Sequence, residues 1–360
     1  RVLSISFSYM DGANSIGEFL STRSEPSYSY IVYRNLGDLY LEKQRYQDAA
    51  ETYGAFVQYD ANHRKAPLLQ VEAIEAYKEG GFPSLVLEGK RNYVERYDLG
   101  GSFWLRNERA ANTEVVAHLK ANMLDLAQYY HAEAQKSETI PDYQQAASLY
   151  RRFLDSFPDE DDSPNTNFLL AEILFESKDF AAETAEYERT AYEYPTHERS
   201  AEAGFAAIVA YREAEKGLSG REKEEWHSFY LDSGLRFADT FPEHPESGPV
   251  LTAAAEDLFH QGEFELAVAV GESVVAKQPA VDGKLLRTAW TVIAHSQFDL
   301  ENYVEAEQAY YALRPFTPVD DATANQEIKD RIASAIYKQG EQARDAGDLE
   351  SAVTLSLIHI

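Results

Sequence analysis

The stretch YRNLGDLYLEKQRYQDAAETYGAFVQYD, Tyr33–Asp60, sets aromatic rings, a Leu-Gly pair and an alanine at fixed offsets. Counted from Gly37, Tyr33 lies four residues before, Tyr40 three after, Tyr46 nine after, Ala49 twelve after and Tyr53 sixteen after. Apolar spacings of three and four mark two amphipathic helices joined by a short turn. The same ruler returns in WTVIAHSQFDLENYVEAEQAYYALRPFTP, where Trp290, Ile293-Ala294, Gln297, Tyr303, Ala306, Tyr310, Leu313 and Pro318 take the matching places.

Three further segments fit it. One carries Leu251, Ala255, Leu258, Phe264, Ala267, Val274 and Pro279. A second carries Leu170-Ala171, Leu174, Phe180, Tyr187 and Pro195, with Glu183 in the alanine place. The third carries Ile336, Gly340, Ala343, Leu349 and Ala352. Looser units are anchored near Ala73, Ala134 and Ala207. Pro158, Pro195, Pro242, Pro279 and Pro318 stand where a second helix must stop, because proline lacks an amide hydrogen and disfavours helix in its predecessor. The small residues Gly37, Ala171, Ala255, Ala294 and Gly340 let the first helix of each pair (helix A) approach the second (helix B), and Ala49, Ala146, Ala267, Ala306 and Ala352 are their counterparts. One hairpin cannot bury both of its faces, so neighbours must stack. The expected fold is all-α, a right-handed α-solenoid of stacked helix hairpins.

This pattern resembles the tetratricopeptide repeat (TPR), with its W-x2-L-G-x2-Y, Y, A, F/Y and P positions over about 34 residues. The resemblance runs from about Ser29 to Thr354, clear in about five hairpins and looser in three. The domain reading is therefore residues 1–28 as the end of a preceding hairpin and 29–354 as an array of about eight. A strand over Val2–Tyr9 ranks second. Insertions are expected near 98–112, with the aromatic pair Phe103-Trp104 as edge cover or partner contact, and near 217–225. Residues 355–360, LSLIHI, read as a non-native tail similar to translated adapter sequence, and the start at Arg1 reads as that of a fragment.

In the TPR family helix A lines the concave groove. The resemblance then implies a partner-binding groove at Arg34, Asp38, Leu41, Phe168, Glu172, Phe175, Glu256, Phe259, His295, Phe298, Tyr337 and Glu341. Asp38 stands where the family's carboxylate clamp has Asn and would repel a carboxylate. Chaperone-tail binding is disfavoured. An acidic groove with aromatic patches suits a protein or peptide partner that is basic or amphipathic.

The formal net charge of −28 repels nucleic-acid phosphates, and no Lys/Arg run offsets it, so no nucleic-acid partner is expected. The chain has no Cys, which excludes disulfides, thiol catalysis and Cys-based zinc sites. No apolar run reaches the roughly 18 residues of a transmembrane segment. The nine His form no H-E-x-x-H and no i, i+4 pair. The acids of PDEDDSPN, Pro158–Asn165, lack the Gly and closing Glu of a calcium loop. No phosphate-binding glycine loop or nucleophile elbow occurs, so no catalytic residue, metal or cofactor is assigned and no enzyme is expected.

The function expected is that of a non-catalytic scaffold for protein–protein interaction. The phrase LGDLYLEKQRYQDAAETYGAFV and the endings FLDSFPDE and FADTFPEHPE are similar to bacterial cell-envelope TPR proteins of the outer-membrane-assembly lipoprotein and Tol-Pal-coordinator types. That similarity implies a periplasmic or outer-membrane-associated location. The alternatives are a cytoplasmic regulatory module fused to a missing effector, and an α-toroid carbohydrate-active enzyme. Apolar faces at the repeat ends are expected to favour self-association.

Overall fold

A computed structural model describes residues 2–22 and 27–357, with the side chains of 356 and 357 left out. Among the described residues every regular element is helical. The chain divides into two compact units, Arg1–Ala182 and Glu183–Ile360.

The first unit holds α1 (Val2–Ser8), α2 (Gly12–Ser21), α3 (Ser29–Glu42), α4 (Tyr46–Tyr59), α5 (Ala66–Glu79), α6 (Pro83–Arg96), α7 (Thr113–Ser137), α8 (Ile140–Ser156) and α9 (Ser163–Glu176). From α3 to α9 each helix packs on the next, so each B helix is held between its own A helix and the following one. α10 (Phe180–Tyr192) begins at the end of this unit and lies mostly in the second. The second unit continues with α11 (Ser200–Glu215), α12 (Gly220–Thr240), α13 (Ser247–Gln261), α14 (Phe264–Ala276), α15 (Gly283–Asp299), α16 (Tyr303–Leu313), α17 (Ala322–Asp345) and α18 (Leu349–Leu357). From α11 onward the same sequential packing holds. The fold class is all-α, built from stacked helix hairpins.

The repeat ruler explains the cores. Ala49, Ala146, Ala171, Ala255, Ala267, Ala294 and Ala306 are fully buried, as contacts between close-packed helices require. Gly37 shows why: a Cβ added there would stand 2.2 Å from the ring of Tyr53. Gly340 differs, since the nearest atom to a Cβ there is 3.6 Å away and an alanine would fit. Rings at the flanking positions, Tyr33, Tyr53, Tyr150 and Tyr310, are buried to 2% exposure or less. α8, α10, α12 and α14 end at Ser156, Tyr192, Thr240 and Ala276, each two or three residues before its proline.

Several expectations change in detail. Val2–Ser8 is helical, in line with the first-ranked hairpin reading, and the second-ranked strand is excluded. The expected loop at 217–225 is a short turn, because α12 already starts at Gly220 and runs 21 residues. Gly220 opens it at φ +59°, a conformation glycine adopts without strain. The segment 98–112 is irregular and includes two 3₁₀ turns, Ser102–Leu105 and Arg109–Ala111. Leu355 belongs to α18 and packs against the last core, while the final residues 358–360 of the expected non-native tail lie outside the described residues.

Candidate functional site

Helix A of the first clear hairpin, α3, presents a polar cluster. The Arg34 guanidinium lies 3.6 Å from Glu72 on α5 and 3.9 Å from Asp38, and it donates to the Tyr30 hydroxyl at 3.1 Å. Tyr53, inserted from α4, donates its hydroxyl to Asp38 at 2.8 Å. Burial raises the Glu72 carboxyl, opposed by the charge of Arg34. Leu41, a turn further along α3, is half-buried against the core of this region.

The tyrosine sixteen residues past the small anchor repeats this reach. Tyr150 of α8 meets His131 Nδ1 of α7 at 3.1 Å. His131 Nε2 faces Gln135 at 3.3 Å and Glu176 of α9 at 3.7 Å, and Gln135 donates to Glu176 at 2.9 Å. Burial holds the His131 imidazole below its usual range, against the pull of Glu176. On α9, Glu172 is half-buried and Phe175 is 41% exposed. Phe168 is a correction to the groove assignment: at 2% exposure it lies in the interior and offers no ring to a partner. Apolar residues crowd α9 on more than one face, so its periodicity alone could not separate core from groove.

In the second unit, Phe259 of α13 meets the His295 ring of α15 at 5.9 Å, and His295 meets Tyr310 of α16 at 5.7 Å. Burial, aided by the charge of Arg331, lowers the His295 imidazole; burial also pushes the Tyr310 hydroxyl up to about 12. Glu256 shares a hollow of about 460 Å3 with Lys284 and Arg287. Phe298, Tyr337 and Glu341 line one groove of about 930 Å3 with Arg344, Leu349 and Val353. Lys338 donates to Glu341 at 2.8 Å and holds its carboxyl below the ordinary range. Asp38 and Glu341 therefore each stand beside a cation, and the local field at these two positions is more balanced than the net charge of the chain implies.

The structure also shows a groove the ruler does not mark. It lies among α5, α6 and α7 and measures about 1720 Å3. The hairpin that contains α5 and α6 matches the pattern only loosely, and the apolar triplet Leu85-Val86-Leu87 does not follow helical spacing. That departure is the one signal that would have found it. The pair Phe103-Trp104, by contrast, is structural. Phe103 is buried, Trp104 stacks on it edge-to-face at 5.0 Å, and the indole donates to the Tyr97 carbonyl at 3.0 Å.

With these positions in place, comparison with known proteins gives the class. Residues 142–198 match the tetratricopeptide repeat family model. Together with the hairpin architecture, this marks the chain as a helical-repeat protein containing TPR sequence. No curated protein matches. Similar solved structures include the TPR2AB domain of yeast Sti1 in complex with an HSP90 peptide, at 15% identity and TM-score 0.34, covering 86% of this chain and 99% of that one. The TPR domain of P58(IPK) is similar at 15% identity and TM-score 0.28, covering 90% and 96%. A signal-transduction ATPase with a tetratricopeptide repeat sensor from Pyrococcus horikoshii follows at 16% identity and TM-score 0.27, covering 85% and 45%. At these scores the likeness singles out no relative.

Proposed function

We propose that the chain is a non-catalytic scaffold whose A helices hold segments of partner proteins. The observation that carries this reading is the chemistry of the A-helix residues left open by packing. Phe175 and Tyr337 are exposed rings on A helices of the first and second units, Asp38 lies beside Arg34 and Glu341 pairs with Lys338. Exposed rings beside such charges suit a peptide or helix laid across them, because the rings give contact area and the charges give register.

The finer proposal is a role in bacterial envelope assembly, in the periplasm or at the outer membrane. Its support is the similarity of LGDLYLEKQRYQDAAETYGAFV, FLDSFPDE and FADTFPEHPE to envelope TPR proteins. Among the described residues no helix is long and apolar enough to cross a membrane.

Photo-crosslinking in the source organism tests both levels. A photoreactive residue at Phe175 or Tyr337 is expected to trap discrete proteins, and one at the exposed Glu51 of helix B is expected to trap none. Equal trapping from all three positions would overturn the scaffold reading. Recovery of the protein only in the cytoplasmic fraction would overturn the envelope proposal and leave the scaffold reading standing.

A further inference from the structure

Glu176, the last residue of α9, leaves one carboxylate oxygen in the interior with no hydrogen bond among the described residues. That oxygen, Oε2, lies 3.7 Å from Nε2 of His131 on α7, just beyond hydrogen-bond distance. The other oxygen, Oε1, accepts from the Gln135 amide at 2.9 Å. The same amide nitrogen stands 3.3 Å from His131 Nε2.

These contacts fix the protons. Turning the Gln135 amide over would set its carbonyl against a carboxylate oxygen, so its NH2 faces Glu176 and its second N–H reaches Nε2. Nε2 therefore accepts, the ring proton sits on Nδ1, and Nδ1 donates to the Tyr150 hydroxyl at 3.1 Å. In this state His131 has nothing to donate to Glu176. A second proton reverses the arrangement. A protonated Nε2 cannot accept from Gln135, and the acceptor that faces it is the unbonded Oε2.

The surroundings leave this exchange to Glu176. α8 brings Tyr150 and Tyr143, both pushed up by burial, so they stay neutral where an imidazole titrates. Glu172 of α9 acts on Tyr150. Lys136 of α7 is paired with Glu133 at 2.6 Å, and Arg91 of α6 is bonded to the Tyr130 hydroxyl at 2.8 Å. Glu176 is the charge that acts on His131, and it opposes the burial that holds the imidazole below its ordinary range.

We infer that His131 and Glu176 form a proton-operated clasp between α7 and α9. One proton from solvent, taken up at Nε2, frees the ring from Gln135 and closes Nε2–H onto Oε2 as a charge-assisted hydrogen bond. The bond draws in the last turn of α9, the turn that carries Phe175. It offsets only part of the cost of burying the charged ring, so the clasp closes at a lower pH than a free imidazole would protonate. The device belongs to the fold and does not depend on the scaffold reading.

Nitrogen NMR of the full chain carrying 15N-labelled histidine tests it, with the His131 signals identified as those missing from His131→Gln. At neutral pH Nδ1 is expected to carry the proton, and on acidification Nε2 should gain one. Gln135→Ala, at an exposed position, removes a bond made only by the neutral ring and should move the titration of His131 to higher pH. Glu176→Gln removes the negative charge that holds the protonated ring and should move it to lower pH. Opposite shifts from the two neighbours are the signature, since loosened packing alone would move both the same way. An Nε2–H tautomer at neutral pH would overturn the inference in the wild-type chain, without recourse to any variant. An unmoved midpoint in Glu176→Gln, or shifts of the same sign in the two variants, would overturn it as well, and none of these results bears on partner binding.

Discussion

At the scale of the residue, the tyrosine sixteen places past the small anchor carries a physical contrast. Tyr53 and Tyr310 hold equivalent places in their hairpins, and both are buried to 1% exposure or less. Tyr53 donates to Asp38, whereas the Tyr310 hydroxyl finds no partner among the described residues. Removing a paired hydroxyl loses a hydrogen bond, while removing a buried unpaired one relieves a desolvation cost. Tyr53→Phe should therefore cost about 1 kcal/mol, because Asp38 is half exposed and regains water, and Tyr310→Phe should be neutral or stabilising by up to about 1 kcal/mol. Urea unfolding of both variants checks the pair, and equal losses would refute the contrast. The tyrosine positions were legible in the sequence, because spacing alone marks them. Their hydrogen bonds were not, since the partner depends on which groove residue the neighbouring helix happens to supply.

At the scale of the element, helices A and B are legible wherever both the small residue and the ring are present. Gly37 is the clearest case. An alanine there would place its Cβ 2.2 Å from Cε1 and 2.6 Å from Cζ of Tyr53, so the ring must move or the helices must part. Overpacking of that severity usually costs about 1–3 kcal/mol, and Gly37→Ala should fall at the upper end despite the better helix propensity of alanine. Gly340→Ala, with open space at the equivalent place, should stabilise by roughly 0.4–1 kcal/mol. Thermal unfolding of the two variants decides it; a destabilised Gly340→Ala would show that the ruler reports packing there too. Where elements were misread, a different force acted. α12 reaches back to Gly220 through REKEE, a polar run that shows no apolar period yet consists of good helix formers. α6 follows the ruler only loosely because its N-terminal half is at most half-buried, so no packing constraint imposes an apolar spacing on it. Phe168 was assigned to the groove because the ruler fixes a position along a helix but not which flank the next helix covers.

At the scale of the whole molecule, buried histidines and net charge govern the response to solution conditions. Burial lowers the imidazoles of His131 and His295 below their usual range. In that case the unfolded chain binds protons more readily than the folded one as pH falls. Their contribution is thus present above the ordinary imidazole value of about 6.5 and is lost as pH falls through the depressed folded values. The melting temperature should drop between about pH 7 and pH 5, and His131→Gln with His295→Gln should flatten that slope. An unchanged slope in the double variant would assign the acid sensitivity elsewhere. Charge acts over a longer range. Val2 and Tyr9 of the first helix region and Leu349 and Val353 of the last helix are more than half exposed, and apolar surface of this kind favours association between copies. The net charge of −28 opposes it. Salt separates the two effects, because the screening length falls from about 10 Å at 0.1 M to about 3 Å at 1 M while apolar attraction persists. Light scattering of this 360-residue chain should therefore show a mass that rises with protein concentration and rises further with salt. Leu349→Glu and Val353→Glu together should return it toward the monomer. A monodisperse monomer at high concentration and high salt would mean that the exposed end residues are too scattered to form a contact.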